Sequence, residues 1–344
     1  MLEHILKEAV RQNASDVHIK AGGVPVFRIN GVLSRQNLSA VSENAITSFI
    51  EQYGTCGVNE TEADFCCCIA GAGSFRVHGY LQNGFPALAV RIIKSAVPSL
   101  SDLNAPPVLE KLDMQRSGLI LVTGPAGSGK STTLAAMVDF INRNKSAHIV
   151  TLEDPPEYRF TEDKSIISQR QVGSDTASFA LGLRAALRQD PDVIMIGELR
   201  DAQTAAGAVS AAETGHLVLA TLHTRSAVLA VSRMLDFFAP EKQQQMRAQL
   251  AENLQAVIAQ QLVPGCHGER TAAFEVLTFT QAVRSLLRDG KAHQLASYMQ
   301  SGRQQGMQCM DYALAYLAKT GAITKQTAQE YAFDIDLLNK YLLQ

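Results

Sequence analysis

Gly124-Pro125-Ala126-Gly127-Ser128-Gly129-Lys130-Ser131 has the residue types and spacing of a phosphate-binding loop. Glycine lets a backbone curl closely enough for its N–H groups to face phosphate oxygens. A helix opening at the end of the loop adds the partial positive charge of its N-terminus. Lys130 is placed to reach the β- and γ-phosphates, the Ser131 hydroxyl to ligate Mg2+, and Thr132 to complete the nucleotide-binding set. The apolar run Leu119-Ile120-Leu121-Val122 precedes the loop and a helical stretch follows from Ser131, which is the context that separates this motif from a chance glycine-rich turn. ATP and Mg2+ are the expected ligands.

Hydrolysis needs more than binding. Asp190-Pro191-Asp192-Val193-Ile194-Met195-Ile196-Gly197-Glu198 is an apolar strand ending in a carboxylate, with Gly197 where an aspartate linked to magnesium commonly stands. Glu198 is then free to act as general base toward the water that attacks the γ-phosphate, or to orient it. The competing reading is a surface ion pair between Glu198 and Arg200. Glu153-Asp154-Pro155-Pro156-Glu157 ends a second apolar run with three carboxylates, of which Glu153 and Glu157 are candidates to hold Mg2+ directly or through water. A turn forced by the two prolines explains the same residues structurally. His216 and His223 flank a further run; His223 lies beside the other strand ends, whereas His216 alone has no more than a structural reading. Positive charge for the transition state is available from Arg170, Arg184, Arg188 and Arg200, or from Arg76 and Arg91 in the first hundred residues.

These residues need a frame. Leu119–Val122, Ile149–Leu152, Val193–Ile196 and Leu217–Ala220 alternate with helical stretches, as in a parallel sheet covered on both faces, and ligands of such sheets sit beyond the carboxyl ends of the strands. Residues 1–97 read as a small α+β domain: a helix around Ile5, Leu6, Ala9 and Val10, then strands at 16–19, 26–31, 74–80 and 87–93. Pro98, Pro106 and Pro107 mark 98–114 as a linker to an α/β domain over 115–344. That domain is expected to turn helical from about 240, because Met246, Leu250, Leu254, Ile258 and Leu262 recur every four residues, and 307–317 and the stretch ending Leu337-Leu338 look helical as well.

Composition narrows the class. Of 344 residues, 46% are hydrophobic and 19% charged, ordinary for a folded chain, and a net charge of −2 gives no global electrostatic argument for nucleic acid, so no direct nucleic-acid partner is expected, although a local basic patch stays open. Charges interrupt the first residues and no apolar run is long enough to span a membrane, so a cytoplasmic protein reaching the inner membrane through partners is expected. Cys56, Cys66, Cys67, Cys68, Cys266 and Cys309 lack zinc spacing and read as reduced, mostly buried thiols. There is no internal repeat.

The order of these motifs resembles the secretion ATPase superfamily, and within it the PilT-like type IV pilus retraction ATPases. The likeness is carried by the phosphate loop, Glu153-Asp154-Pro155, Ala186 to Asp192, Gly197-Glu198-Leu199-Arg200-Asp201, Ala211 to His216, and Thr221-Leu222-His223-Thr224. Ala14-Ser15-Asp16-Val17-His18 and Phe75-Arg76-Val77 are similar to that family's small N-terminal domain. The resemblance implies a PAS-like N-terminal domain joined to a RecA-like ATPase domain, a homo-hexameric ring, and pilus retraction powered by ATP. Its expected partners are an inner-membrane platform protein and an assembly ATPase or paralogous motor. It also implies that Glu198 is the catalytic glutamate, that Glu153 and His223 belong to the nucleotide site, and that Arg76 and Arg91 reach the nucleotide. The tetracysteine element and extra N-terminal domain of extension and secretion ATPases are not visible. Ala282-Val283-Arg284-Ser285-Leu286-Leu287 is a recognisable form of the retraction motif Ala-Ile-Arg-Asn-Leu, with Ser285 in place of the usual asparagine. That change leaves open an accessory paralogue with weak hydrolysis, or a motor for another secretion or DNA-uptake cargo.

Overall fold

The computed structural model describes residues 1–29, 31–54, 62–93, 96–266 and 268–344. It divides into two compact units, Met1–Ala96 with Glu157–Arg159, and Val97–Pro156 with Phe160–Gln344.

In the first unit, strands alternate faces as their sequences do. β1 (Asp16–Lys20), β2 (Val26–Ile29), β3 (Val32–Arg35), β4 (Glu62–Ile69), β5 (Gly73–Gln82) and β6 (Phe85–Ile93) form an antiparallel sheet in the order β3-β2-β1-β6-β5-β4. Val17, Ile19, Phe27, Phe65, Phe75, Val77 and Val90 bury one face in a core shared with Leu2, Ile5, Leu6 and Ala9 of the helix Leu2–Arg11. The opposite face carries Asp16, Arg28, Asp64, Arg76, His78 and Arg91. On β4 the cysteine run alternates too: Cys67 is buried and its thiol pushed up to about 12 by burial, Cys66 is half-buried and Cys68 exposed. Cys266 is exposed and Cys309 buried, so the expectation of mostly buried thiols holds for two of the five described cysteines; Cys56 lies outside the described residues.

The second unit is a doubly covered sheet. β7 (Gly118–Thr123), β8 (His148–Glu153), β9 (Ile166–Gln171), β10 (Val193–Ile196), β11 (Leu217–Leu222), β12 (Leu254–Pro264) and β13 (Arg270–Thr278) run in the order β13-β12-β7-β11-β10-β8-β9, parallel except for the last pair in sequence, β12 and β13. β7, β8, β10 and β11 are buried on both faces, which is why they read as unbroken apolar runs. Along β7, Ile120 and Val122 pack with Leu134, Met137, Val138 and Ile141 of the helix Lys130–Asn144, while Leu119 and Leu121 pack with the helices Ala202–Glu213 and Ala227–Asp236 on the other side. Among the described residues no helix is long and apolar enough to cross a membrane.

Two expectations are corrected. The four-residue stripe is not one helix: Met246 and Leu250 lie on the helix Pro240–Asn253, and Leu254, Ile258 and Leu262 on β12. A repeat of four is also a multiple of two, so the spacing of Ile258 and Leu262 serves one face of a strand, while an irregularity after Leu254 puts that residue in the core on the other face, and the chain passes from helix to strand at Leu254 without a loop. The C-terminal part beyond 240 therefore adds two strands to the sheet as well as helices. The segment 98–114 is also more than a linker. It contains the helix Val108–Asp113 and puts Leu100, Leu109 and Leu112 into the core beside Ile120 and Leu134.

Asp113 closes that helix with a fully buried carboxyl group, neither oxygen of which accepts a hydrogen bond among the described residues. Lys145 donates instead to the backbone oxygens of Asp113 and Gln115, each at 2.7 Å. Burial raises the Asp113 pKa well above the usual carboxylate range. A carboxyl whose pKa is raised on folding holds a proton that the unfolded chain releases, so its contribution to stability falls as pH climbs above the ordinary aspartate value. Asp113→Asn is accordingly expected to gain about 1–3 kcal/mol over the parent at pH 8, with the gain shrinking toward pH 4, as read by urea melts across that range.

Candidate nucleotide site

The phosphate loop joins β7 to the helix Lys130–Asn144, and two of its glycines are there for space. Gly124 has φ +153°, and a Cβ on it would run into the Gln260 carbonyl oxygen and the Ser128 side chain. Gly129 caps the helix at φ +88° and ψ 15°, a left-handed backbone, with the Gln260 amide 2.9 Å from where a Cβ would stand. Gln260 is a buried residue of β12 whose Oε1 accepts from the Thr133 hydroxyl at 2.7 Å. It fixes the loop against the sheet. Ser128 Oγ is buried within the loop and has no hydrogen-bond partner among the described residues. A cradle that a Cβ would fill, an orphaned hydroxyl and a lysine at the helix start fit a bound phosphate chain. The Lys130 ammonium donates to the Gly124 and Pro125 carbonyl oxygens at 2.8 and 2.9 Å.

The four strand ends converge as the sequence implies. Thr123, at the end of β7, bonds Thr224 beyond β11: the Thr224 amide donates to Thr123 Oγ1 at 2.8 Å. Gly197, beyond β10, donates its amide to the Leu152 carbonyl on β8 at 2.7 Å, and its own carbonyl accepts from the Thr221 hydroxyl. A Cβ at 197 would stand 3.2 Å from the Leu152 oxygen, so glycine here lets the ends of β8 and β10 lie close.

Across these ends runs a chain of charged groups. Lys130 Nζ lies 3.4 Å from His223 Nδ1, and His223 Nε2 lies 3.1 Å from Glu198 Oε1. An ammonium can only donate, so Nδ1 is the acceptor, Nε2 carries the proton, and the imidazole donates to Glu198. Arg200 Nε donates to the other Glu198 oxygen at 2.8 Å, and Arg200 Nη1 donates to Asp154 at 3.0 Å. The Glu198 carboxylate raises the Arg200 pKa. Glu198 thus makes the Arg200 pair weighed above and at the same time faces the histidine and lysine of the loop.

Glu153 is buried at the end of β8, its Oε1 accepting from the Thr151 hydroxyl at 2.7 Å and the Gln169 amide at 3.1 Å. Ser131 and Thr132 occupy the first turn of the loop helix, half-buried. Glu157 is exposed and belongs to the first unit. Arg76 and Arg91 are cross-strand partners on the charged face of the first unit's sheet, with Arg91 Nε donating to Asp16 at 3.0 Å. His216 precedes β11, at the opposite end from His223, and its ring is bonded to the Ala211 carbonyl at 2.9 Å, a structural role. Arg170 donates to the Asp175 carbonyl at 2.8 Å. The sequence singles out neither Gln260 nor the Arg200–Asp154 tie; the Gln260-Gln261 pair inside an otherwise apolar run was the available signal for the first.

On the helix Gln281–Arg288, Val283 and Leu287 are buried and Arg284 reaches back over the end of the helix Pro240–Asn253, donating to the carbonyls of Ala251 and Glu252 and to the Gln255 amide oxygen. Gln281, Ala282 and Ser285 are exposed.

A glycine loop between a buried parallel strand and a helix, with a lysine, a histidine and a glutamate gathered at neighbouring strand ends, defines a P-loop ATPase. Residues 87–330 match the family model described as Type II/IV secretion system protein, and the chain belongs to that family. It is 40% identical over 336 residues to the type IV pilus retraction ATPase PilT of Pseudomonas aeruginosa, covering 96% of this chain and 98% of that one. It is 39% identical to the type IV pilus ATPase PilU of the same organism, over 96% and 88% of the two chains. A crystal structure of the pilus retraction motor PilT with bound ADP superposes with a TM-score of 0.88 at 41% identity, covering 99% of each chain.

Proposed function

We propose that this ATPase assembles as a homo-hexameric ring and drives retraction of type IV pili from the cytoplasmic side of the inner membrane. The observation that carries the reading is the Lys130–His223–Glu198 chain at the end of the phosphate loop, in a protein similar along nearly its full length to a retraction ATPase. Gly124 to Thr132 wrap the phosphates of ATP, with Lys130 exchanging loop carbonyls for phosphate oxygens. Glu198 orients the attacking water and takes its proton, and His223 holds Glu198 at a fixed distance from Lys130. Bound Mg2+, held by Ser131 with Glu153 and Glu157 as further candidate ligands, would neutralise charge on the β- and γ-phosphates. Arg76 and Arg91 are the arginines assigned to the transition-state charge in the assembled ring. An inner-membrane platform protein is the partner on which the ring works, with an assembly ATPase or a paralogous motor as a further one.

A second reading, an accessory motor with weak hydrolysis of its own, is favoured by the near-equal identities to PilT and PilU and by Ser285. The two are separated by scoring pilus retraction in a deletion strain complemented with wild type or Lys130→Ala. Retraction is expected to stop without the gene and to return only with the wild type. Normal retraction in the deletion strain removes the principal-motor reading, and turnover by the isolated protein then decides the accessory one.

A further inference from the structure

Glu275 stands in the middle of β13 between Phe274 and Val276, 4% exposed, in a strand otherwise built of apolar residues at its centre. Side chains alternate along the strand. Ala273 joins the core beneath the helix Met310–Lys319, and Leu277 joins the core beneath the helix Ala227–Asp236, so Glu275 falls at the boundary between the two. Its Oε1 accepts the amide of Ala227 at 2.6 Å and its Oε2 the amide of Met310 at 3.4 Å. Each is the first residue of its helix. Ser226 caps the first helix through the Leu229 amide and Cys309 gives the second no side-chain cap, so one carboxylate takes up an otherwise open amide at two helix N-termini.

Four residues separate the end of β11 from the start of the first of those helices. The intervening residues are His223-Thr224-Arg225-Ser226. Thr224 anchors one side of this loop to Thr123, and Glu275 anchors the other through Ala227. From this geometry we infer that Glu275 is a positioning residue for ATP hydrolysis: its carboxylate, holding Ala227 and Met310 together, fixes where the loop presents His223 to Lys130 and Glu198, and so ties turnover to the C-terminal helices. The inference rests on the assignment of those three residues to the nucleotide site.

The grip depends on ionisation. A carboxylate accepts at both oxygens, whereas the protonated group keeps one good acceptor and gains a donor that neither amide can receive. Burial, helped by Asp311 on the helix Met310–Lys319, outweighs the two amide hydrogen bonds and pushes the Glu275 carboxyl up to about 7. The Cys309 thiol lies at the start of that same helix, β12 carries no charged side chain, and the helix Ala227–Asp236 has its charges, Arg233 and Asp236, in its second half.

The test compares ATP turnover of wild type and Glu275→Gln, full-length and assembled, from pH 5.5 to 8.5. The wild-type kcat is expected to exceed that of the isosteric variant by about tenfold at pH 8.5, with the ratio falling toward one at pH 5.5 and KM within about twofold. Ala227→Pro removes the donor and puts its Cδ where the amide hydrogen stood, so the Glu275 carboxylate must withdraw, while the helix start itself tolerates proline: it is favoured at a first helical position, and the Ser226 backbone at φ −137° and ψ 160° suits a residue before it. It is expected to lower kcat by a similar factor, and the double variant to lose little more. A ratio that is constant with pH, or an unchanged kcat in Glu275→Gln, overturns the inference. Glu198→Ala run alongside separates the two levels: if that variant keeps its turnover the site assignment fails, and if it loses turnover while the Glu275 ratio is flat, only the positioning role fails.

Discussion

Glu198→Gln is expected to lower the ATP turnover of the assembled protein by about 10²–10⁴-fold, the usual range for loss of a general base. One Glu198 oxygen accepts from His223 and the other from Arg200. A glutamine keeps a single acceptor, turns an N–H group toward either a protonated imidazole nitrogen or a guanidinium, and cannot take a proton from water. Nucleotide affinity should stay within a few fold, because the loop glycines, Lys130 and Ser131 are untouched. Steady-state turnover and titration with a fluorescent nucleotide separate the two quantities. Full turnover in the variant would mean that the proton goes elsewhere, with Glu153 the next carboxylate to examine.

Lys130→Ala is the second large effect, and it acts earlier. A charge-assisted hydrogen bond contributes about 1.5–3 kcal/mol, so loss of the ammonium weakens nucleotide binding by roughly 10- to 150-fold and turnover by more, since the same charge faces the transferring phosphoryl group. The stabilisation that saturating nucleotide gives the wild type, about 2.7 kcal/mol at a hundred times Kd, should fall to roughly 0.3–1.4 kcal/mol at the same nucleotide concentration in thermal melts. Amide exchange in residues 124–129 should quicken even without nucleotide, because Lys130 is the donor that ties the loop to itself through Gly124 and Pro125. Unchanged nucleotide-dependent stabilisation would remove Lys130 from the site.

Sequence reading reached the parts of this protein where one local rule dominates. The strands at 118–123, 148–153, 193–196 and 217–222 are buried on both faces and could hardly be read otherwise, and the loop motif needed only its neighbours to be recognised. The strand at 254–264 was hidden because its spacing suits a helix equally well, and the preceding helix runs straight into it. β9 and β13 gave no motif to find. Gln260, Asp113 and Glu275 are polar residues whose meaning comes from what folding brings beside them: a glycine loop, an apolar pocket with no donor to the carboxyl among the described residues, and two helix starts. Glu198 was legible as a carboxylate at a strand end, but its simultaneous contact with Arg200 and His223 is a matter of distance that spacing does not encode.

The segment around Arg284 divides the labour between its two sides. Val283, Leu287 and Arg284 face inward and are committed, two to the core and one to the carbonyls that end a neighbouring helix. Gln281, Ala282 and Ser285 face outward and owe nothing to the packing. Ser285, which stands where the retraction motif has asparagine, is therefore at a position where divergence is cheap: the outward row can be rewritten for a new counterpart while an aliphatic Val283, Arg284 and Leu287 keep the scaffold beneath it.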